Sequence, residues 1–216
     1  MKLGSSVNRL FYGTWRASVL AALFVALLVS ATAGTMADDG ERQGQPPEID
    51  LEPIVLERVL SADGKTAQVT LEIPASADTY IASNRPSTNY GNTTWLRLGY
   101  NATGDNLGAL RALMRFDMGR VPSRATIHWA RFRIYQHSVT VRPGDPDSVT
   151  TRHLNDPWDE RAVTWNSHQP NWGGVLQKSN PTLSIGWIEA DATELVKEWV
   201  SGQHPNNGLT FLANEE

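Results

Sequence analysis

The chain has 216 residues, 40% of them hydrophobic, and its 19 basic and 23 acidic side chains give a formal charge of −4, an ordinary globular balance. It contains no cysteine, which excludes disulfides, thiolate metal sites, thiol nucleophiles and a lipidated N-terminal cysteine. Residues 1–37 hold three of the 19 basic residues and none of the 23 acidic ones, so the remainder stands at −7 and no nucleic-acid partner is expected.

Lys2, Arg9 and Arg16 form a basic leader to residues 17–33, an apolar run whose only polar members are Ser18, Ser30 and Thr32. Ala31-Thr32-Ala33 and Thr35-Met36-Ala37 are small-residue cleavage candidates, followed at once by Asp38-Asp39. That pattern reads as a secretory signal peptide over residues 1–37, outside the fold, and the protein is expected to be secreted or at the cell surface. A membrane is a partner only if this segment is retained, since seventeen residues approach the shortest span. Residues 38–66 are acidic and proline-bearing and read as a linker, with IVLERVL (54–60) an early strand or ordered turn. The domain is expected over residues 67–216.

From Gln68 onward, short alternating stretches are separated by turn residues, the signature of an all-β sandwich. QVTLEI (68–73) is a strand punctuated by Pro74, and DTYIA (78–82) is the next. The polar loop SNRPSTNYGNTT leads to a strand WLRLG (95–99) and a Gly/Asn-rich turn. In RALMRFDM (111–118), Ala112, Met114, Phe116 and Met118 share one face, while Arg111, Leu113 and Arg115 share the other. HWARFRIYQH (128–137) turns Ala130, Phe132 and Ile134 inward and Arg131, Arg133 and Tyr135 outward. SVTTRHL (148–154) is a strand, DPWDERAVTWN (156–166) opens a Gly/Asn/Pro loop, and LSIGWIEA (183–190) is another strand. Asp191 and Glu194 have capping-box spacing before a short helix whose Leu195, Val196, Trp199 and Val200 share a face, with Gly202 at the C-cap. GLTFL (208–212) returns to strand. No internal repeat stands out.

These stretches resemble, in consistent order, the DNRLRE-type domain, which is similar to alginate-type carbohydrate-binding modules and to the disaggregatase-related repeat. The resemblance rests on Asp78-Thr79-Tyr80-Ile81, Pro86 with Asn89-Tyr90-Gly91, Arg111 with the run 113–118, Pro122, Ala125-Thr126-Ile127 and Ala130. It continues through Trp158-Asp159-Glu160, Val163-Thr164-Trp165-Asn166, Asp191-Ala192-Thr193, Trp199, Gly202 and Asn207-Gly208-Leu209. It implies a jelly-roll-like antiparallel β-sandwich and polysaccharide binding beside, rather than within, a catalytic domain. Family members run on past Leu212 through a further strand, so either the chain is a fragment of a longer protein or its last sheet position is left open as an edge. The resemblance also implies structural roles for Asp78, Tyr80, Tyr90, Trp158, Glu160, Trp165, Asp191 and Trp199, with Gly91 supplying a turn conformation.

The acid and indole cluster in DPWDERAVTWN has the composition of a sugar-cleaving site. Its neighbours Asp159 and Glu160 point to opposite faces in a strand, however, which is poor geometry for a dyad. The expected role is therefore structural, and no catalytic residue is assigned. The binding candidates are Arg97, Arg111, Arg115, Arg131 and Arg133, which share the outward parity of three strands with Trp95 and Tyr135. Guanidinium groups pair with carboxylates and aromatic rings stack on sugars, which suits an acidic, uronate-type polysaccharide. The loop residues Asn84 and Arg85 join this set.

The five histidines lack ligand spacing and no cofactor is expected. A structural Ca²⁺ on loop carboxylates such as Asp145, Asp147 or Asp156 is compatible with such folds. Alternative readings are a structural or adhesive surface module and, behind it, a cryptic lyase or hydrolase. The glycan and the oligomeric state are not readable from sequence.

Overall fold

A computed structural model describes residues 21–30, 53–100, 106–136, 149–168, 171–179 and 186–213, with side chains described outside 21–30 and 177–179. Within these residues ten strands form two antiparallel sheets, with one short helix, an all-β sandwich. The organising strand is β3, Thr66–Ala82, which serves both sheets. Its first half pairs with β2 (Ile54–Leu60) on one edge and β1 (Ala21–Ser30) on the other. Its second half pairs with β5 (Ala109–Phe116), after a register shift between Ala75 and Ala77. The break expected at Pro74 is therefore a bend within one continuous strand. A bulge lets a strand change direction without ending.

The first sheet runs β2-β3-β1-β6-β9, where β6 is Thr126–Gln136 and β9 is Gly186–Asp191. The second runs β3-β5-β10-β7-β8, with β10 at Leu209–Leu212, β7 at Val149–Leu154 and β8 at Trp172–Ser179. A two-residue strand, β4 (Gly99–Tyr100), also pairs with β5. Between the sheets, the alternating Ala112, Met114 and Phe116 of β5 share one buried cluster with Ile127, Ala130 and Phe132 of β6. The Phe132 ring meets Phe116 edge-on at 5.9 Å and Phe211 at 5.0 Å between centroids. Each such side chain, fully buried, contributes about 1.5–3 kcal/mol.

The helix α1, Thr193–Ser201, packs Leu195, Val196 and Trp199 onto this cluster. It begins one residue later than the spacing predicts. Ala192 is the N-cap, Asp191 Oδ1 accepts the Thr193 N–H at 2.8 Å, and Glu194 pairs with Lys197 rather than closing a capping box. The C-cap is as expected: Gly202 has φ 75°, and its N–H reaches Trp199 O, a left-handed stop that glycine adopts without a Cβ penalty.

Three expectations change. WLRLG is mostly loop, its only strand residue being Gly99. The loop expected after residue 166 contains β8, whose Gly173 and Gly174 hide it from a propensity reading. A Cβ on Gly173 would fall 1.7 Å from the His153 ring, so that glycine marks a close approach between paired strands rather than a turn. Residues 21–30, expected outside the fold, are β1, a strand inside the first sheet with β3 and β6 on either side. Their uninterrupted apolar sequence suits a strand inside a sheet as well as it suits a leader, because periodicity alone does not separate the two.

Candidate functional site

The segment DPWDERAVTWN lies across the outer face of the second sheet, which makes β5 buried on both sides. Ala77, Ile81, Leu113, Leu154, Trp158 and Val163 form its own apolar cluster, with Trp165 packed against it. Trp158 is buried and its indole N–H donates to Asn207 O at 2.8 Å. Arg115 stands over that indole at 5.4 Å and donates from Nη1 to Trp158 O at 3.2 Å. Arg111 lies between Trp165, 4.2 Å from the ring centroid, and Trp172 at 5.1 Å. It is only 9% exposed. Cation–π contacts of this kind strengthen when desolvated, so both arginines hold the loop to the sheet.

The carboxylates of the segment are engaged locally. Asp156 accepts from Asn171 at 2.9 Å, and Asp159 accepts from the Arg161 N–H at 2.7 Å. Glu160 reaches across to accept the Asp78 N–H at 2.9 Å. Asn89 Nδ2 donates to the carbonyls of both Glu160 and Val163 at 2.8 Å, tying the loop at 83–98 to this segment. Gly91 has no left-handed φ. Its role is space: a Cβ there would fall 2.0 Å from Glu160 O. His168, buried beside this segment, has its pKa lowered by burial and then by the Arg111 charge, which keeps the ring neutral.

Burial, then the nearby Glu160 charge, raises the Asp78 carboxyl to about 6 from an ordinary 3.8. The folded state therefore holds this proton more tightly than the unfolded chain. Its contribution to stability is full below the unfolded value and is lost as pH rises from about 4 to about 6. Asp78→Asn is expected to remove that loss. Urea midpoints of wild type and variant should diverge over this interval, with the variant the more stable at pH 7. Parallel pH profiles would show that Asp78 is not strained by its charge.

At the end of the sandwich nearest β4, the loop 83–98 is sealed by backbone bonds from Ser83 to Ala109 O and from Asn84 to Leu107 O. Tyr90 stacks on buried Tyr80 at 4.3 Å, and Arg97 lies over Tyr80 at 5.9 Å. Asn84 donates to Asn106, and the exposed Arg85 donates back to Asn84 O at 2.9 Å. Trp95 and Tyr100 are both exposed here. Residues 79–104, which include Arg85 and Arg97, contain no Asp or Glu, and the neighbouring carboxylate from outside the segment is Glu160, whose side chain lies against Gly91.

A second exposed surface is the outer face of β6 and β9. Cross-strand pairs place Tyr135 opposite Trp187, Arg133 opposite Glu189, and Arg131 opposite Asp191. Arg133 Nε is 2.7 Å from Glu189 and Arg131 Nη1 is 3.7 Å from it. Arg133 covers Trp187 at 4.4 Å, Tyr135 meets Trp187 edge-on at 5.3 Å, and Arg131 lies 5.9 Å from Trp129. Asp191 is held below the usual carboxylate range, chiefly by its hydrogen bond from the Thr193 hydroxyl. Three exposed aromatic rings thus flank a charge-balanced ladder.

The five arginines do not form one surface. Arg111 and Arg115 are under the 156–166 segment, Arg131 and Arg133 face away on the other sheet, and Arg97 is at the loop end. Strands β5 and β6 follow one another in sequence but join different sheets, which strand parity cannot reveal. Trp129 and Trp187 were not among the candidates, although Trp129 shares the outward parity of Arg131. A tryptophan in a strand reads first as core.

Asp145 and Asp147 lie outside the described residues, and among those described no group of three His, Asp or Glu side chains is placed to hold a metal ion. Among them too, no helix is long and apolar enough to cross a membrane.

No curated protein matches the chain. One family model does, over residues 69–215, from early β3 to beyond β10, and it describes carbohydrate-binding modules. The chain belongs to carbohydrate-binding module family 96.

Proposed function

We propose that this carbohydrate-binding module is exported, acts without cleaving its ligand, and takes an acidic, uronate-type polysaccharide at the loop end formed by residues 83–100. The observation that carries this reading is the acid-free run around Arg85 and Arg97, with Trp95 and Tyr100 exposed beside it. Carboxylates of a uronan suit the guanidinium groups, and sugar faces suit the two rings. The leader-like composition of residues 1–37 supports export, and the structural engagement of Asp156, Asp159 and Glu160 supports binding without cleavage. The β6–β9 face, with Arg131 and Arg133 balanced by Glu189 and Asp191, suits a neutral stretch of glycan better than a charged one.

Solvent-exposed ion pairs contribute up to about 1 kcal/mol each, so Arg85→Ala with Arg97→Ala is expected to weaken retention on a polyuronate gel about tenfold. Added salt should weaken the wild type in the same direction. Retention on a neutral glucan and the thermal midpoint should change little. Equal retention of variant and wild type on the polyuronate would sink the assignment.

One observation favours a second reading, an adhesive module with a protein partner: strand β2 leaves Ile54, Val55, Leu56, Val59 and Leu60 all exposed along one edge of the first sheet. Such an edge invites strand addition. A binding partner displaced by Val55→Lys with Val59→Lys, with glycan retention unaffected, would support it.

A further inference from the structure

The position of β1 carries a consequence for what this fold can bind. Strand β3 and strand β6 are joined through β1, which pairs antiparallel with both: Ala22 to Ser30 face Pro74 to Thr66, and Ala21 to Leu28 face Ile134 to Thr126. The two flanking strands carry the fully or nearly buried Ala67, Leu71 and Ile73 on one side and Ile127, Ala130 and Phe132 on the other. The occupant, AALFVALLVS, has no charged residue. It is also the apolar part of a segment that reads as a cleavable leader, with both cleavage candidates within seven residues of Ser30. A cut there removes the covalent tie, and the backbone of the strand is then held by its two ladders.

Without β1, β3 and β6 would stand about 10 Å apart, the width of one missing strand. Both would present unpaired backbone edges over an apolar floor, and buried unpaired N–H and C=O groups are costly. Edges of this kind are satisfied by any strand of suitable length and polarity, since the ladder reads backbone and not side-chain identity.

We propose that the slot between β3 and β6 is a strand-acceptor site. Its ligand is an extended, uncharged apolar peptide strand of about nine residues, as long as the β1 ladder, running antiparallel to both neighbours. In the uncut chain residues 21–30 fill it. After the leader is cut, an apolar strand from another polypeptide replaces them, locking that polypeptide to the module through main-chain hydrogen bonds on both edges. The site is separate from the loop end assigned to glycan. Only the timing of exchange rests on the leader reading, which the intact mass of the exported protein tests independently.

The test starts from the full chain with a specific protease sequence placed within residues 40–46, purified and then cut. A fluorescent peptide, AALFVALLVS with a solubilising charged tail, is added before and after cutting. A matched peptide with prolines at positions 24 and 25 serves as control, because adjacent residues address opposite edges and each proline removes one ladder donor. The cut protein is expected to take up the first peptide at least tenfold more than the uncut protein, and at least tenfold more than it takes the proline peptide. Backbone amides of Leu71, Ile73, Arg131 and Arg133, which by strand alternation face the slot, should keep their exchange protection when the peptide is bound. Absence of uptake by the cut protein overturns the proposal, whether the leader fragment leaves or stays. Equal uptake of the proline peptide overturns it as well. Glycan retention measured in parallel separates failure of this site from failure of the loop end.

Discussion

Trp158→Ala is expected to destabilise the domain by about 3–5 kcal/mol, the range for deleting a buried aromatic side chain. For a domain of this size that corresponds to a fall of roughly 10 °C in thermal midpoint. Three losses coincide at this residue. The indole leaves a void among Ala77, Leu113, Leu154 and Val163, Asn207 O loses its buried donor, and the Arg115 guanidinium loses the ring it covers. Calorimetry checks the stability, and gel retention per folded molecule checks the function, which is expected to persist below the lowered midpoint. An unchanged midpoint with loss of glycan binding would mean that the segment at 156–166 is a ligand site and not a clamp.

Gly91→Ala is expected to be the second severe change, costing about 1–3 kcal/mol or more through overpacking. The new methyl would meet Glu160 O at 2.0 Å, and both atoms sit on backbone that cannot rotate away. Relief requires the 83–98 loop to part from the 156–166 segment. That would stretch the Asn89 bonds to Glu160 O and Val163 O and disturb the Tyr80–Tyr90 stack. Urea denaturation measures the cost. The loop end that presents Arg85 and Trp95 is carried by this same joint, so uronate retention should fall with it, unlike in Trp158→Ala. Wild-type stability in the alanine variant would show that the two loops are not locked together there.

The alternation in residues 111–118 and 128–137 placed the main core correctly, because a two-residue period maps directly onto the two faces of a strand. Met114, Phe116, Ala130 and Phe132 are all buried between the sheets. The helix at 193–201 and its glycine stop were legible for a similar reason, since capping and amphipathic spacing are local properties. Trp158 and Trp165 pack as a clamp on the outer face of the second sheet, whereas the strand-parity argument against Asp159 and Glu160 does not apply, because that segment folds as turns rather than as a strand.

Other features were not legible, because they depend on which strands meet. The outward arginines of β5 and β6 share a parity but face opposite sides of the molecule, and a covering segment about fifty residues further along the chain turns Arg111 into a buried clamp. Gly91 and Gly173 look like turn glycines, yet the constraint on each is an atom from a distant segment. The apolar run 21–30 carries no information about whether it leaves or pairs.

By itself, then, the sequence determined the class of fold, the inward faces of its strands, the helix with its stop, and a positively charged, acid-free loop in a negatively charged chain. These follow from local period, composition and chirality. Only the tertiary structure decided which arginines reach solvent, why Gly91 must lack a side chain, and that a leader-like segment fills the slot between β3 and β6. Those depend on strand order and close approach, which are long-range properties set by the packing of the whole sandwich.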